Sequence, residues 1–241
     1  MVDALFEHPR LVAVYDALDG DRSDLDGYAA IARELGARSV LDVGCGTGTF
    51  ALRLAAGGLD VIGVDPAGGS VRYAQSKAGA EQVTWIHGDA TTLPPLQVDL
   101  ATMTANVAQA IIDVDQWRAT LRGIYQALRP GGSLVFETRD PAYRAWQGWT
   151  KAQTYRRSDV PGVGVVEAWE EVTDVNWPLV TFTSTRVFAS DGAVLRSEST
   201  LRFRKRDEVA QALVEAGYAV QDVRGAPDRF GRELVFLAVQ P

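Results

Sequence analysis

Residues 39–50 read SVLDVGCGTGTF, and this stretch decides the fold. An apolar run stops at an acid, Asp42, and glycines follow at Gly44, Gly46 and Gly48. Alternating glycines remove side chains from one side of a loop, so the backbone can approach a ligand closely and adopt positive φ. The pattern therefore predicts a buried strand, a tight ligand-binding loop and the start of a helix.

Two well-known phosphate-binding loops do not match these glycines. The dinucleotide fingerprint G-x-G-x-x-G requires a glycine where this chain has Thr49, and the Walker loop requires a lysine that does not follow here. Asp42 lies beside the loop, and a carboxylate repels a pyrophosphate at close range. The residues favour a ligand that carries a positive charge or hydroxyl groups.

Length and composition limit the classes of function. The 241 residues, of which 46% are hydrophobic and 23% charged, suit one domain with an elaboration and a large core. A net charge of −7 disfavours nucleic acid, because phosphate binding needs clustered Lys and Arg. In the one basic run, at 202–206, Arg202 and Arg204 alternate onto one strand face, which we interpret as a solvated edge.

Cysteine usage and hydropathy indicate the compartment. The single cysteine, Cys45, cannot form an intramolecular disulfide, which is typical of a reducing cytoplasm. We interpret Cys45 as the small residue that the loop needs, because neither His8 nor His87 is near it in sequence to activate a thiol. No apolar run approaches the ~18 residues of a membrane span, and residues 1–3 lack the basic start of a signal peptide. We expect a cytoplasmic protein with neither a membrane partner nor a metal.

Strand and helix patterns alternate along the first part of the chain. Further apolar strands are predicted at 59–64, 83–86, 98–103 and 133–137. Such alternation predicts a parallel sheet covered on both faces, with its acids gathered at the carboxyl edge. Asp65 ends the second strand about twenty residues beyond the glycines, where an acid reaches ribose hydroxyls in doubly wound folds. A simpler role as a helix cap before Pro66 stays open.

The periodicity changes after Arg139. Between about 163 and 205, three period-two segments rich in Thr and Val are separated by turn sequences. They predict an antiparallel meander inserted into the main sheet. A helix and two strands, at 219–223 and 234–239, then complete the chain.

Four segments resemble a class I S-adenosylmethionine-dependent methyltransferase of the small-molecule type. They are VLDVGCGTG at 40–48, GVD at 63–65, GDA at 88–90 and LRPGGSLV at 128–135. The resemblance implies an α/β fold: a doubly wound, mostly parallel seven-stranded Rossmann-like sheet with an antiparallel β insert between strands five and six. The parts that it implies are an N-terminal lid segment at 1–23, a cofactor-binding core at 24–140 and 206–241, and a substrate-capping insert at 141–205.

The same resemblance assigns residues to the cofactor, S-adenosyl-L-methionine. It implies that Asp42 and the glycine loop hold the methionine part, that Asp65 holds the ribose hydroxyls, and that Thr104 lines the sulfonium. The other contacts that it implies are Gly44, Cys45 and Gly46 in the loop, Pro66, Asp89 and Ala90 at the adenine, and Tyr15 closing over the cofactor.

The candidate catalytic residues are Gln109, Arg139 and Tyr143, which form no recognised acid–base motif. Methyl transfer from a sulfonium mainly requires donor and acceptor held collinear at ~3 Å, so a base is needed only for some acceptors. Glu137 is open between a substrate role and a buried carboxylate paired with Arg139. Four tryptophans are open between stacking on a substrate and packing the insert: Trp146, Trp149, Trp169 and Trp177.

We therefore expect a methyltransferase that moves a methyl group from S-adenosylmethionine to O, N or C of a small metabolite. Enzymes that methylate base amino groups carry Asp/Asn-Pro-Pro-aromatic after strand four, whereas this chain has TANV at 104–107, so nucleic acid is not the expected substrate. Two other functions stay open: a protein that binds the cofactor without methylating, as a scaffold or rearrangement catalyst, and an NAD-dependent reductase. A homodimer is compatible with the sequence.

Overall fold

The computed structural model describes residues 2–226 and 228–241. The strands are β1 (Ser39–Val43), β2 (Asp60–Asp65), β3 (Val83–His87), β4 (Val98–Met103), β5 (Leu128–Arg139), β6 (Arg156–Val160), β7 (Gly164–Asn176), β8 (Leu179–Phe188), β9 (Val194–Arg202), β10 (Ala219–Gly225) and β11 (Glu233–Val239). The helices are α1 (Ala4–Glu7), α2 (Pro9–Asp19), α3 (Asp24–Glu34), α4 (Thr49–Ala56), α5 (Gly68–Gln75), α6 (Val107–Ala110), α7 (Val114–Ala127), α8 (Lys151–Thr154) and α9 (Arg206–Glu215).

The main sheet has seven strands in the order β10-β11-β5-β4-β1-β2-β3. Strands β1 to β5 run parallel, and β11 is antiparallel to both β5 and β10. The chain reverses direction across the sheet between β1 and β4, which is where an open α/β sheet forms its ligand crevice. The predicted doubly wound fold is confirmed.

Two apolar cores lie on opposite faces of this sheet. Successive residues of a strand point to opposite faces, and β5 shows this directly: Val135 packs in one core and Phe136 in the other. The core around Phe136 also contains Trp117 of α7 and Phe236 of β11. Both faces of the strands are covered, which explains why their sequences are continuously apolar.

We expect Phe136→Ala to lower the free energy of unfolding by about 3–5 kcal/mol, because the truncation leaves a cavity in a packed core. Its ring is fully buried, with centroids 5.3 Å from Phe236 and 5.8 Å from Trp117. The matched control is Phe230→Ala, since that ring is 88% exposed and its loss should change stability by less than about 0.5 kcal/mol. Urea denaturation of both variants measures the difference, and equal losses would contradict the packing.

The insert forms a separate antiparallel sheet of four strands, β6-β7-β8-β9. The sequence predicted only the last three. Strand β6 reads RRSDV, a short polar segment at the edge of the sheet, so it carries almost none of the apolar alternation that marks a strand.

The interpretation of the basic run at 202–206 as a solvated edge is wrong for Arg204. Strand β9 ends at Arg202, and the Arg204 side chain turns inward until only 7% of the residue is exposed. Its guanidinium donates to the carbonyls of Ala108 (2.9 Å) and Ile111 (2.5 Å) and lies 4.7 Å from the Trp117 ring centroid. Carbonyls at the end of a helix and an aromatic face both attract a cation, so Arg204 joins the insert to α6.

The N-terminal segment bridges the core and the insert. Helices α1 and α2 are separated at His8, and Pro9 is the first residue of α2. The backbone N–H of Leu5 donates to Ser197 Oγ of β9 (2.8 Å), and the Ser70 hydroxyl of α5 donates to the Phe6 carbonyl (2.7 Å). At Gly69 a Cβ would lie 2.3 Å from the Glu7 carbonyl oxygen, so only glycine permits this approach. No helix in the described ranges is long and apolar enough to cross a membrane.

Candidate functional site

The glycine loop after β1 packs closely against the helix that follows β4. Gly44 and Gly46 have φ of +73° and +53°, a region that glycine adopts without steric cost. The N–H groups of Gly44 and Cys45 both donate to the Val64 carbonyl, at 2.8 and 3.1 Å. A Cβ at Gly44 would lie 2.5 Å from Val107 Cγ2 of α6. The loop therefore connects the ends of β1, β2 and β4.

Asp42 is a buried carboxylate with one unsatisfied oxygen. It is 1% exposed; Oδ1 accepts a hydrogen bond from the Thr102 hydroxyl (2.9 Å), and Oδ2 has no partner in the part of the chain that the structure describes. Burial raises the pKa of Asp42 to about 7, and the nearby Asp65 contributes in the same direction. Over the described ranges no Lys, Arg or His nitrogen lies within 4.0 Å of either carboxylate.

Asp65 joins the glycine loop to the start of α5. Its Oδ2 accepts from the N–H of Gly46 (2.8 Å), and its Oδ1 accepts from the N–H of Ala67 (2.7 Å), just before the helix begins at Gly68. Burial raises its pKa, and the two backbone donors partly offset that rise. The N-cap residue of α5 is Ala67, without a side-chain capping hydrogen bond, so Asp65 does not have the capping role that the sequence left open. Each oxygen still has acceptor capacity, so the predicted contact with ribose hydroxyls remains a prediction.

Cys45 lies in the loop and is buried. Burial raises the pKa of its thiol far above the ordinary range, and the carboxylates of Asp42 and Asp65 add to this effect. A thiol in such surroundings stays protonated. This agrees with the interpretation of Cys45 as a small loop residue rather than a nucleophile.

The residues predicted to border the adenine follow β2 and β3. The Pro66 carbonyl is 3.2 Å from His87 Nε2, and the Asp89 carboxylate accepts from the N–H (2.8 Å) and hydroxyl (2.5 Å) of Thr91. Ala90 is 2% exposed. These residues lie at the carboxyl edge of the sheet, on the same side as Asp65.

Thr104 and Tyr15 are the two remaining residues that are predicted to contact the cofactor. Thr104 follows β4 directly and is 7% exposed. Tyr15, on α2, packs with its ring centroid 5.6 Å from that of Phe6, and burial raises the pKa of its hydroxyl. Their predicted contacts with the cofactor's sulfonium and with its outer side stay predictions.

A polar pair lies between this edge and the insert. Gln109 is completely buried, and its Oε1 accepts from the backbone N–H (3.3 Å) and Nη1 (3.0 Å) of Arg139. The Arg139 guanidinium lies 5.4 Å from the Trp149 ring centroid. The structure thus brings Gln109 and Arg139 together. Tyr143 is 47% exposed, and its ring lies 5.2 Å from the guanidinium of Arg232 instead.

Glu137 does not pair with Arg139, so the interpretation of these two residues as an ion pair is wrong. Glu137 is completely buried and forms an ion pair with Arg229 (3.3 Å), which also pairs with Glu233 (3.2 Å). Burial raises the pKa of Glu137 to about 8, and the neighbouring Glu233 carboxylate contributes to that rise. Arg229 lies 92 residues from Glu137 in sequence, so no local pattern could have found the pair.

The Glu137 carboxylate also fixes two other elements. It accepts a hydrogen bond from the Tyr28 hydroxyl of α3 and one from the backbone N–H of Asn106 (3.2 Å). Asn106 has φ of +62°, and its side-chain amide donates to Glu233 (3.2 Å). The network holds in place the segment that carries Thr104 and Gln109.

The tryptophans of the insert pack mainly against each other and against phenylalanines. Ring centroids lie 4.6 Å apart for Trp146 and Phe203 and 4.9 Å apart for Trp149 and Phe182. Trp177, 48% exposed, joins this group at 5.7 Å from Trp146. We call these five rings the aromatic cluster. The fourth tryptophan, Trp169, packs elsewhere, against Tyr155 and Lys151.

A cation with hydroxyl groups fits the site between Asp42 and Asp65. Within residues 2–226 and 228–241, these two buried carboxylates at neighbouring strand ends have no cationic partner, and Asp42 Oδ2 accepts no hydrogen bond. Phosphate would meet like charge there. S-adenosylmethionine carries a sulfonium, an ammonium group and ribose hydroxyls, and these match the unused acceptors. In the described residues, no group of three or more His, Cys, Asp or Glu is placed to hold a metal ion.

Comparison with known proteins supports the same class. A family model described as "Methyltransferase domain" matches residues 40–132. An uncharacterized methyltransferase of Mycobacterium tuberculosis is 30% identical over 151 residues, which cover 60% of this chain and 71% of the relative. The chain belongs to the methyltransferase family, within the class I S-adenosylmethionine-dependent group. The cofactor of this group is S-adenosylmethionine.

Two further proteins show how far the likeness extends. Cypemycin N-terminal methyltransferase of a Streptomyces species is 34% identical over 133 residues, about half (54%) of each chain. The solved structure of CalS10, an amino pentose methyltransferase from Micromonospora echinaspora with S-adenosylmethionine bound, superposes with a TM-score of 0.72 at 22% identity, and the match covers 95% of this chain and 97% of CalS10. The structural match shows that the fold is shared over nearly the whole chain.

We expect the affinity for S-adenosylhomocysteine to fall as the pH is lowered through about 7. Protonation of Asp42 removes the negative charge that a bound ammonium needs, so the affinity should drop by up to about ten-fold per pH unit below its pKa. Calorimetry from pH 8 to pH 5.5 at constant ionic strength measures this dependence.

Asp42→Asn should bind more weakly and lose most of this pH dependence, since its amide does not titrate. Asp60→Asn, at the exposed opposite end of the neighbouring strand, should keep the wild-type profile. An unchanged profile in Asp42→Asn would show that another group controls the affinity.

Proposed function

We propose that this protein transfers a methyl group from S-adenosylmethionine to an oxygen, nitrogen or carbon atom of a small metabolite. The observation that carries the proposal is the unsatisfied Oδ2 of Asp42, a buried anion beside a positive-φ glycine loop and without a cation of its own. Family membership supplies the identity of the cation. The small-molecule acceptor is supported by the insert, which places Arg204 and the aromatic cluster beside the segment after β4.

Each part of the chain has a distinct task in this proposal. Asp42 and the loop hold the methionine part, Asp65 orients the ribose, and Thr104 with Gln109 borders the reacting centre. When bound, the cofactor would supply a methyl carbon activated by its sulfonium, which an electron pair of the acceptor would take as the carbon–sulfur bond breaks and its electron pair stays on sulfur. The protein's contribution is to align acceptor and donor and to exclude water.

The divisions predicted from the sequence fit these tasks and are part of the proposal. Residues 1–23 act as a lid, 24–140 with 206–241 bind the cofactor, and 141–205 cap the acceptor. The hydrogen bond from Leu5 to Ser197 supports a lid that touches the cap. The single cysteine supports a cytoplasmic location.

Nitrogen is the first acceptor atom to test. By their names, one relative methylates an N-terminus and CalS10 acts on an amino sugar, so both point to amines. The test incubates the protein with S-[methyl-¹⁴C]adenosylmethionine and pools of small amines, phenols and carbon acids. We expect label in a small product and an equal amount of S-adenosylhomocysteine.

The same assay separates the alternatives. Bound cofactor with no label transferred to any pool would contradict the proposal. A product of unchanged mass, formed without consumption of the cofactor, would identify a rearrangement catalyst. Binding of a nicotinamide cofactor in place of S-adenosylhomocysteine would identify a reductase.

We expect Asp65→Ala to weaken S-adenosylhomocysteine binding by about 1–3 kcal/mol, the cost of losing hydrogen bonds to a charged acceptor. Asp60→Ala, at the exposed other end of the same strand, is the control and should bind as the wild type does. Calorimetry together with a thermal melt checks both variants. Unchanged affinity in folded Asp65→Ala would overturn the ribose assignment.

A further inference from the structure

Arg139 is a cation at the end of β5 whose side-chain hydrogen-bond partner, among the described residues, is the neutral Gln109. Its side chain donates to Gln109 Oε1 (3.0 Å), and within the described ranges no carboxylate oxygen lies within 4.0 Å of its guanidinium. By contrast, the guanidinium of Arg186, which is also largely buried, lies 2.9 Å from a carboxylate oxygen of Glu170. A guanidinium has five N–H donors, so most of those of Arg139 are left without an acceptor from the protein.

Gln109 offers a second unused donor at the same place. It is completely buried, and its Nε2 has no hydrogen-bond partner among residues 2–226 and 228–241. Its Oε1 is engaged by Arg139, which fixes the orientation of the amide. Both residues of this contact therefore keep N–H groups without an acceptor in the described ranges, and a buried donor without an acceptor is costly. Two adjacent donors of this kind call for an anion.

The nearby acids do not cancel the charge of Arg139. Glu137 and Glu233 share Arg229, at 3.3 and 3.2 Å. Burial raises the pKa of Glu137, with the Glu233 carboxylate adding to the rise, and both acids are paired with Arg229 rather than with Arg139. The charge of Arg139 remains available to a ligand.

The donor pair lies between the cofactor loop and an aromatic surface. Gln109 belongs to the same short helix as Val107, which packs against Gly44 of the loop. On the other side, the guanidinium of Arg139 lies 5.4 Å from the ring centroid of Trp149 in the aromatic cluster. A group bound by the pair would thus have the loop on one side and a flat apolar surface on the other.

We propose that Arg139 and Gln109 bind a carboxylate of the methyl acceptor, and that a flat apolar part of the same molecule lies along Trp149. This inference rests on the proposed function and narrows it to small, flat organic acids. A carboxylate offers two coplanar oxygens, which match a guanidinium edge and an adjacent amide N–H. A carboxylate also matches the single positive charge of Arg139, whereas a phosphate carries up to two negative charges.

The experiment uses 4-fluorobenzoate and 4-fluorobenzamide as probes of equal shape. The full chain is titrated with each probe and followed by ¹⁹F NMR, both with and without saturating S-adenosylhomocysteine. We expect the acid to bind about ten-fold more tightly than the amide, the range of a charge-assisted hydrogen bond. Arg139→Gln should lose that preference.

A matched control distinguishes this site from a general effect of positive charge. Arg232 also lies over an aromatic ring, 5.2 Å from the centroid of Tyr143, but it is exposed. Arg232→Gln should keep the wild-type preference for the acid. Gln109→Glu is the second variant, for use if Arg139→Gln fails to fold. Its carboxylate would form an ion pair with Arg139 in place of the ligand, so this variant should also lose the preference for the acid.

Any one of three results would overturn the inference. The wild type binds the two probes equally, or it binds neither, or the preference for the acid is retained in folded Arg139→Gln or folded Gln109→Glu. Failure of the proposed function is read separately, from calorimetry with S-adenosylhomocysteine. Because the probes are also titrated without that ligand, the preference for the acid is measured whichever way the cofactor result turns out.

Discussion

The burial of Asp42 without a cation is the constraint on which the site depends. Moving a carboxylate out of water is unfavourable unless a partner compensates, and among the described residues the Thr102 hydroxyl is the only hydrogen-bond partner of Asp42. A ligand that brings its own positive charge completes the arrangement, so part of its binding free energy comes from relieving a cost that the fold already bears. This links the local sequence of the loop to a ligand that carries an ammonium group.

A second polar centre, around Glu137, organises the segment that follows β4. Glu137 receives hydrogen bonds or ion pairs from α3, from the segment after β4 and from the loop before β11, three elements that are distant in sequence. Because it is completely buried, each of these contacts is made in a medium of low dielectric constant and counts for more than it would at the surface. The segment that carries Thr104 and Gln109 is thereby held rigid although it contains only one turn of helix. Rigidity at that place is what alignment of two reactants requires.

The features that could be read from the sequence are those encoded over short distances. The apolar run before Asp42, the spacing of the glycines and the alternation of strand and helix patterns predicted the sheet and the cofactor edge, because each depends on neighbours within a few residues. The pairing of Glu137 with Arg229 and the burial of Arg204 could not be predicted. A lone arginine carries no local signal of whether it faces solvent, a carboxylate or the carbonyls at a helix end, and tertiary packing decides among these. Strand β6 was not predicted for a related reason. Its residues are mostly polar, and it is a strand because it pairs with β7.

The bonds of the N-terminal segment have a mechanical consequence. Helix α1 is tied to the insert through Leu5 and to the core through Glu7 and Phe6, so it bridges these two parts of the molecule. A motion that separated the insert from the core would have to break one set of these bonds or carry the helix along with one part. If residues 1–23 act as the proposed lid, α1 would therefore be the element that couples opening of the lid to movement of the insert.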